Sequence, residues 1–172
     1  MRRAAVAALA AVLLGSAGCG YTLVGKTSNL PPEIKVIRFE TLANQTQRVG
    51  VEQRLSHEIV KELTSRGRFT IQAKAEGANA ELSGIVTGFD LYAIAFNQQG
   101  VATEYQVSIS AKVTLKTLPD EKVLWDNPGY TFRDNYNFGT SAASYVDREN
   151  EVIDKVSERF AASLVSTILE GF

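Results

Sequence analysis

The sequence predicts an α+β domain in which two helices pack on one face of a mostly antiparallel sheet of about four or five strands. Three observations carry that prediction. Residues 104–116 alternate polar and dry side chains almost without fault, the period of a strand wetted on one side. Two further stretches, around Val51 to Leu63 and Val152 to Ile168, repeat apolar residues at helical spacing. The chain has 172 residues, 45% hydrophobic and 22% charged, which suits one packed domain better than two or a disordered chain.

The elements follow in order. Met1-Arg2-Arg3 is basic, residues 4–14 carry no polar side chain, and Gly15-Ser16-Ala17-Gly18-Cys19 closes the stretch with small residues. That is the plan of a bacterial secretory signal, too short to span a bilayer. Residues 20–32 are polar and end in Pro31-Pro32, the composition of an extended tether. Residues 34–39 are rich in β-branched side chains and read as the first strand. Asn44-Gln45-Thr46-Gln47 is a polar loop. A first helix over residues 49–66 places Val51, Leu55, Ile59 and Leu63 on one stripe, with Gly67 as its stop.

Residues 69–73 form a short second strand and 76–79 a turn. Residues 82–96 then run out along a long hairpin arm, with Gly84 and Gly88 marking bulges or a close approach. Asn97-Gln98-Gln99-Gly100 turns the chain. On the return arm Tyr105, Val107, Ile109, Ala111, Val113 and Leu115 point one way. Gln106, Ser108, Ser110, Lys112, Thr114 and Lys116 point the other. Residues 123–125 and 130–132 read as a further strand broken by Asn127-Pro128-Gly129. A last helix over residues 144–169 carries Val152, Ile153, Val156, Phe160, Leu164 and Ile168, and at 1.5 Å per residue measures ~40 Å. The expected order is β-α-β-β-β-β-α. The domain plan is a signal peptide at 1–18, a tether at 19–32 and one folded domain at 33–172.

Several chemistries find no support. One cysteine admits neither an internal disulfide nor a cysteine-built zinc site. A formal charge of −1 gives no electrostatic case for nucleic acid. The single histidine, His57, lies off the apolar stripe of the first helix, and no Gly-x-Ser-x-Gly elbow or phosphate-binding loop is present. Glu149, Glu151, Asp154 and Glu158 alternate with Arg148, Lys155 and Arg159, as on a solvated helix face. Tyr130, Phe132, Tyr136 and Phe138 step along a strand toward a core or a protein partner. The expectation is a protein that is not an enzyme and needs no cofactor or metal.

Cys19 is the informative residue. Ser16-Ala17-Gly18-Cys19 resembles a lipobox, in which the cysteine is diacylated on sulfur and becomes the first residue. Gly20 after it resembles an outer-membrane sorting signal. The polar arm face is informative too, because its small, uncharged side chains suit docking against a polar surface without burying many charges.

A family fits these residues. Cys19-Gly20-Tyr21-Thr22-Leu23, then residues 30–36 and Phe39, resemble the start of the lipopolysaccharide-assembly lipoprotein family LptE. Thr103-Glu104-Tyr105-Gln106, opening the long return strand after Gly100, resembles that family's return strand. The resemblance implies an outer-membrane lipoprotein that plugs the β-barrel of an LptD-type partner and helps it assemble. The barrel then inserts lipopolysaccharide into the outer leaflet. It also raises direct lipopolysaccharide contact. The neutral hairpin tip lacks the basic residues that phosphate recognition favours, so Lys112, Lys116, Arg133 and Arg148 are the candidates. The alternative is a stand-alone periplasm-facing lipoprotein that binds a small lipid or glycan in a pocket between helices and sheet.

Overall fold

A computed structural model describes residues 29–66, 68–137 and 145–170. The elements are β1 (Val36–Phe39), β2 (Ala43–Asn44), α1 (Val51–Ser65), β3 (Thr70–Gln72), β4 (Ala80–Phe96), β5 (Ala102–Thr117), β6 (Val123–Asn137) and α2 (Tyr145–Glu170). The sheet runs β3-β1-β4-β5-β6, with β2 paired to β4 beside that path.

The α+β class and the element order stand, with two differences. The sheet is mixed: β1 lies parallel to both β3 and β4, and β2 is parallel to β4. The reason is the crossover through α1, since a strand that returns after a helix comes back in the same direction. Only β4, β5 and β6 form the antiparallel meander. The second difference is β2 itself, a two-residue strand, Ala43–Asn44, that takes the first residue of the expected loop.

The interruption expected in β6 is absorbed instead of breaking the strand. The register shifts between Ala111 paired with Tyr130 and Val113 paired with Asn127, so Pro128 sits in a bulge on an edge strand that asks no N–H of it. The glycines of β4 divide the two expected roles. Gly88 lies at a register shift. Gly84 allows a close approach, because a Cβ there would lie 2.8 Å from the Lys112 carbonyl oxygen and 2.9 Å from Leu42 Cδ2. Helix α1 starts two residues later than expected because Gly50, at φ 83°, turns the chain left-handed just before Val51. Its expected stop, Gly67, lies outside the described residues.

The core forms between the sheet and the two helices. Val51, Leu55, Ile59 and Leu63 of α1 and Val156, Phe160, Leu164 and Val165 of α2 are buried against Leu82, Val86, Val107, Ile109 and Ala111. Phe160 meets Tyr130 and Phe132 edge-on, at ring-centre distances of 5.6 and 6.1 Å. The Tyr130 hydroxyl donates to Ser163 Oγ at 2.8 Å, which ties β6 to α2. Ser157, buried in the helix interface, spends its hydroxyl on the Ile153 carbonyl at 2.6 Å. At the near end of the sheet Leu30 is also in the core. Arg68 Nη2 donates to the carbonyls of Leu30 and Pro31, and the Asn29 N–H donates to the Leu169 carbonyl at 2.7 Å.

Candidate functional site

Because both helices cover one face of the sheet, the alternation of β5 leaves its other face without a layer over it among the described residues. Register assembles that face from three strands. Gln106 pairs with Tyr92 and Asn135, Ser108 with Asp90 and Arg133, Ser110 with Gly88 and Thr131, and Thr114 with Ser83 and Asp126. Short polar side chains then bond across strands. Thr114 Oγ1 donates to Asp126 at 2.6 Å, the Ser110 and Thr131 hydroxyls are 3.3 Å apart, and Gln106 Nε2 donates to Asn135 Oδ1 at 3.2 Å. Asn135 Nδ2 reaches Glu104 at 3.3 Å. The result is a flat surface whose polar groups are partly satisfied by one another.

Charge collects at the near end of this face. Arg38 binds Glu81 and, at 2.5 Å, Glu40; Lys116 binds Glu121 at 3.1 Å and Glu81 at 3.5 Å. Burial works to raise the Glu81 pKa, but Arg38 and Lys116 outweigh it and hold the carboxyl below its ordinary range. The Lys116 ammonium is held above its ordinary value by its hydrogen bond to Glu121, with Glu81 adding to it against partial burial.

Of the four proposed anion contacts, the three with described side chains are not gathered into one site. Lys116 is engaged by two carboxylates. Lys112 and Arg133 are exposed and have no ion pair among the described residues. Arg133 lies opposite Ser108 on the next strand, so it and Lys112 are separated by ~14 Å along and across the sheet. Arg148 falls in the first turn of α2, outside the described side chains. Cys19 and Phe138 also lie outside the described residues.

Three of the four helix carboxylates are paired, not clustered. Glu149 meets Arg48 at 2.6 Å, Asp154 meets Arg54 at 3.0 Å and Glu151 meets Lys155 at 2.6 Å. His57 is exposed on α1, where with Gln53, Arg54, Glu58, Asp154 and Ser157 it lines a shallow groove of about 250 Å³. Tyr130 and Tyr136 are buried, so the aromatic steps of β6 serve the core. One feature that the alternation pattern missed is the apolar end of the hairpin, where Tyr92, Ile94, Phe96 and Val101 are exposed together. Its signal was available in the absence of any charged residue between Asp90 and Glu104.

A family model described as LptE, lipopolysaccharide-assembly, matches residues 34–168. The chain belongs to the LptE family. The match spans every described strand and nearly all of α2, so the uncovered face lies within the LptE-like region. No curated protein matches the sequence closely enough to be counted a relative. Among solved structures, the PelC dodecamer from Paraburkholderia phytofirmans is similar at 17% identity and TM-score 0.52, over 81% of this chain and 90% of that one. XCC0632 from Xanthomonas campestris is similar at 11% identity and TM-score 0.55, over 78% of this chain and 83% of that one. CT253 from Chlamydia trachomatis aligns at 11% identity and TM-score 0.51, over 78% of this chain and 97% of that one. At these identities the likeness is one of fold. Membership of LptE makes the chain a component of lipopolysaccharide assembly.

Proposed function

We propose that this LptE-family chain is an outer-membrane lipoprotein, anchored through Cys19, that plugs an LptD-type β-barrel and helps it assemble. It acts without catalysis of its own and without a cofactor. The barrel then delivers lipopolysaccharide to the outer leaflet. The observation that carries this reading is the uncovered face of β4, β5 and β6. The interior of a transmembrane barrel is polar. A flat, hydrogen-bonded surface with its charges mostly neutralised at one end can lie against such a wall without stranding many ions. The other face, packed on α1 and α2, keeps the plug rigid.

A free lipid- or glycan-binding role gains nothing from the fold. Val156, Phe160 and Leu164 fill the space between helix and sheet where its pocket would have to open. Lys112 and Arg133, which have no ion pair among the described residues, and Arg148 are the cations that would meet phosphate or an acidic wall residue.

The test is to isolate the tagged full-length protein from outer membranes and identify what accompanies it. An LptD-type barrel should dominate, and its absence would overturn the proposal. Mass spectrometry of the same material reads the anchor: Cys19 should carry acyl chains, and an unmodified thiol would refute that part.

A further inference from the structure

We propose that the end of the β4–β5 hairpin is a membrane-contact tip, which dips into the surface of a phospholipid bilayer before the protein is seated in its partner. Residues 91–103 carry no charge. Of the side chains there, Tyr92, Ile94, Phe96 and Val101 are exposed at 57%, 45%, 62% and 44%. Phe96 and Val101 border an open groove of about 400 Å³ that Leu91, Ala93 and Tyr105 also line, while Tyr92 lies beside Gln106 on the uncovered face. An aromatic and aliphatic rim beside the neutral turn Asn97-Gln98-Gln99-Gly100 is the chemistry of the bilayer interface, where apolar bodies sink and amide groups stay at headgroup level. No basic residue lies between Asp90 and Glu104, so the contact is hydrophobic and indifferent to headgroup charge.

Chain length brings this tip to a membrane. The inference rests on the anchoring of Cys19. The ten residue steps from Cys19 to Asn29 reach at most ~36 Å when extended. Asn29 is bonded at the near end of the sheet, and the 17 residues of β4 place the tip roughly 50 Å farther along. A domain tethered that closely can lie along the bilayer with its far end touching it, so lipid anchor and tip form two contacts at opposite ends.

The test uses the natural, lipid-anchored protein in a Trp125→Phe background. It is reconstituted into phosphatidylethanolamine–phosphatidylglycerol vesicles whose acyl chains are brominated. A tryptophan placed by Ile94→Trp should lose most of its emission to the bromine. One placed by Val123→Trp, exposed at the near end, should keep it. Equal emission from both positions would overturn the proposal while the protein stays on the vesicles. Protein that fails to stay on them identifies a failure of the anchor instead, and the same vesicle-bound comparison is then made through a synthetic lipid coupled to Cys19. A third outcome also overturns the tip assignment: quenching is absent at both positions, and Ile94→Asp with Phe96→Asp abolishes recovery of the barrel. The tip would then be a protein contact.

Discussion

Asp134 of β6 accepts a 2.6 Å hydrogen bond from Nη1 of Arg159 of α2, and the same oxygen accepts the Tyr136 hydroxyl at 3.0 Å. The guanidinium also lies 5.6 Å from the centre of the Tyr136 ring. Together these contacts fasten the far half of β6 to the middle of α2.

Burial alone would raise the Asp134 pKa. Arg159, Tyr136 and the Asn135 N–H, all donating to the ionised form, outweigh it and lower the pKa. A lowered folded value means stability that is complete above the ordinary aspartate pKa of ~3.9 and is lost as pH falls through the folded value. Asp134→Asn should therefore flatten the acid limb of stability below that point, with the loss at neutral pH already present. Urea midpoints measured across pH would check it. An unchanged acid limb would mean that Arg159 does not hold the carboxylate.

Phe160 is the side chain on which Tyr130 and Phe132 both rest edge-on. Its truncation leaves a cavity that neither helix nor sheet can close. Phe160→Ala should destabilise the domain by about 3–5 kcal/mol, read as a shift in denaturation midpoint.

Two glycines separate close approach from open space. Gly84→Ala drives a methyl into the Lys112 carbonyl and Leu42, and should cost about 1–3 kcal/mol. Gly129→Ala meets nothing within 4 Å and should stay within about 0.5 kcal/mol of the parent. Parallel urea titrations would distinguish them, and equal midpoints would contradict the packing around Gly84.

Ser110 stands near the middle of the uncovered face. Ser110→Glu should leave stability within about 0.5 kcal/mol, because the side chain points away from the core. It should sharply reduce recovery of the barrel partner, because a carboxylate would then be pressed against the wall unpaired. Undiminished recovery at normal stability would point to another face as the contact surface.

Much of this fold was legible in the order of residues, and the parts that were not have a common physical cause. The alternation from Glu104 to Lys116 and the stripes of α1 and α2 report local periodicity, and each of those elements appears in the structure. The parallel pairing of β1 with β3 and β4 depends on how α1 folds back, which local pattern does not encode. Pro128 looked like a strand break because its missing donor matters only on a paired edge, and β6 is the last strand of the sheet. At the site, the polar face followed directly from β5. The engagement of Lys116 did not, because its partners lie outside β5, Glu81 on β4 and Glu121 in the turn that follows. The apolar hairpin end passed unnoticed because its exposure depends on how far the covering helices extend.

The hydrogen bond from Asn29 to the Leu169 carbonyl joins the earliest described residue to the last turn of the last helix. Leu30 packs into the core beside that junction. A chain made from its N-terminus onward cannot bury Leu30 until its closing helix has also emerged. The domain thus has a natural order of completion: the hairpin can zip early, since its contacts are near neighbours in sequence, while closure waits for the final residues to arrive. The end of the sheet where Asn29 meets Leu169 is therefore the last part of the domain to close.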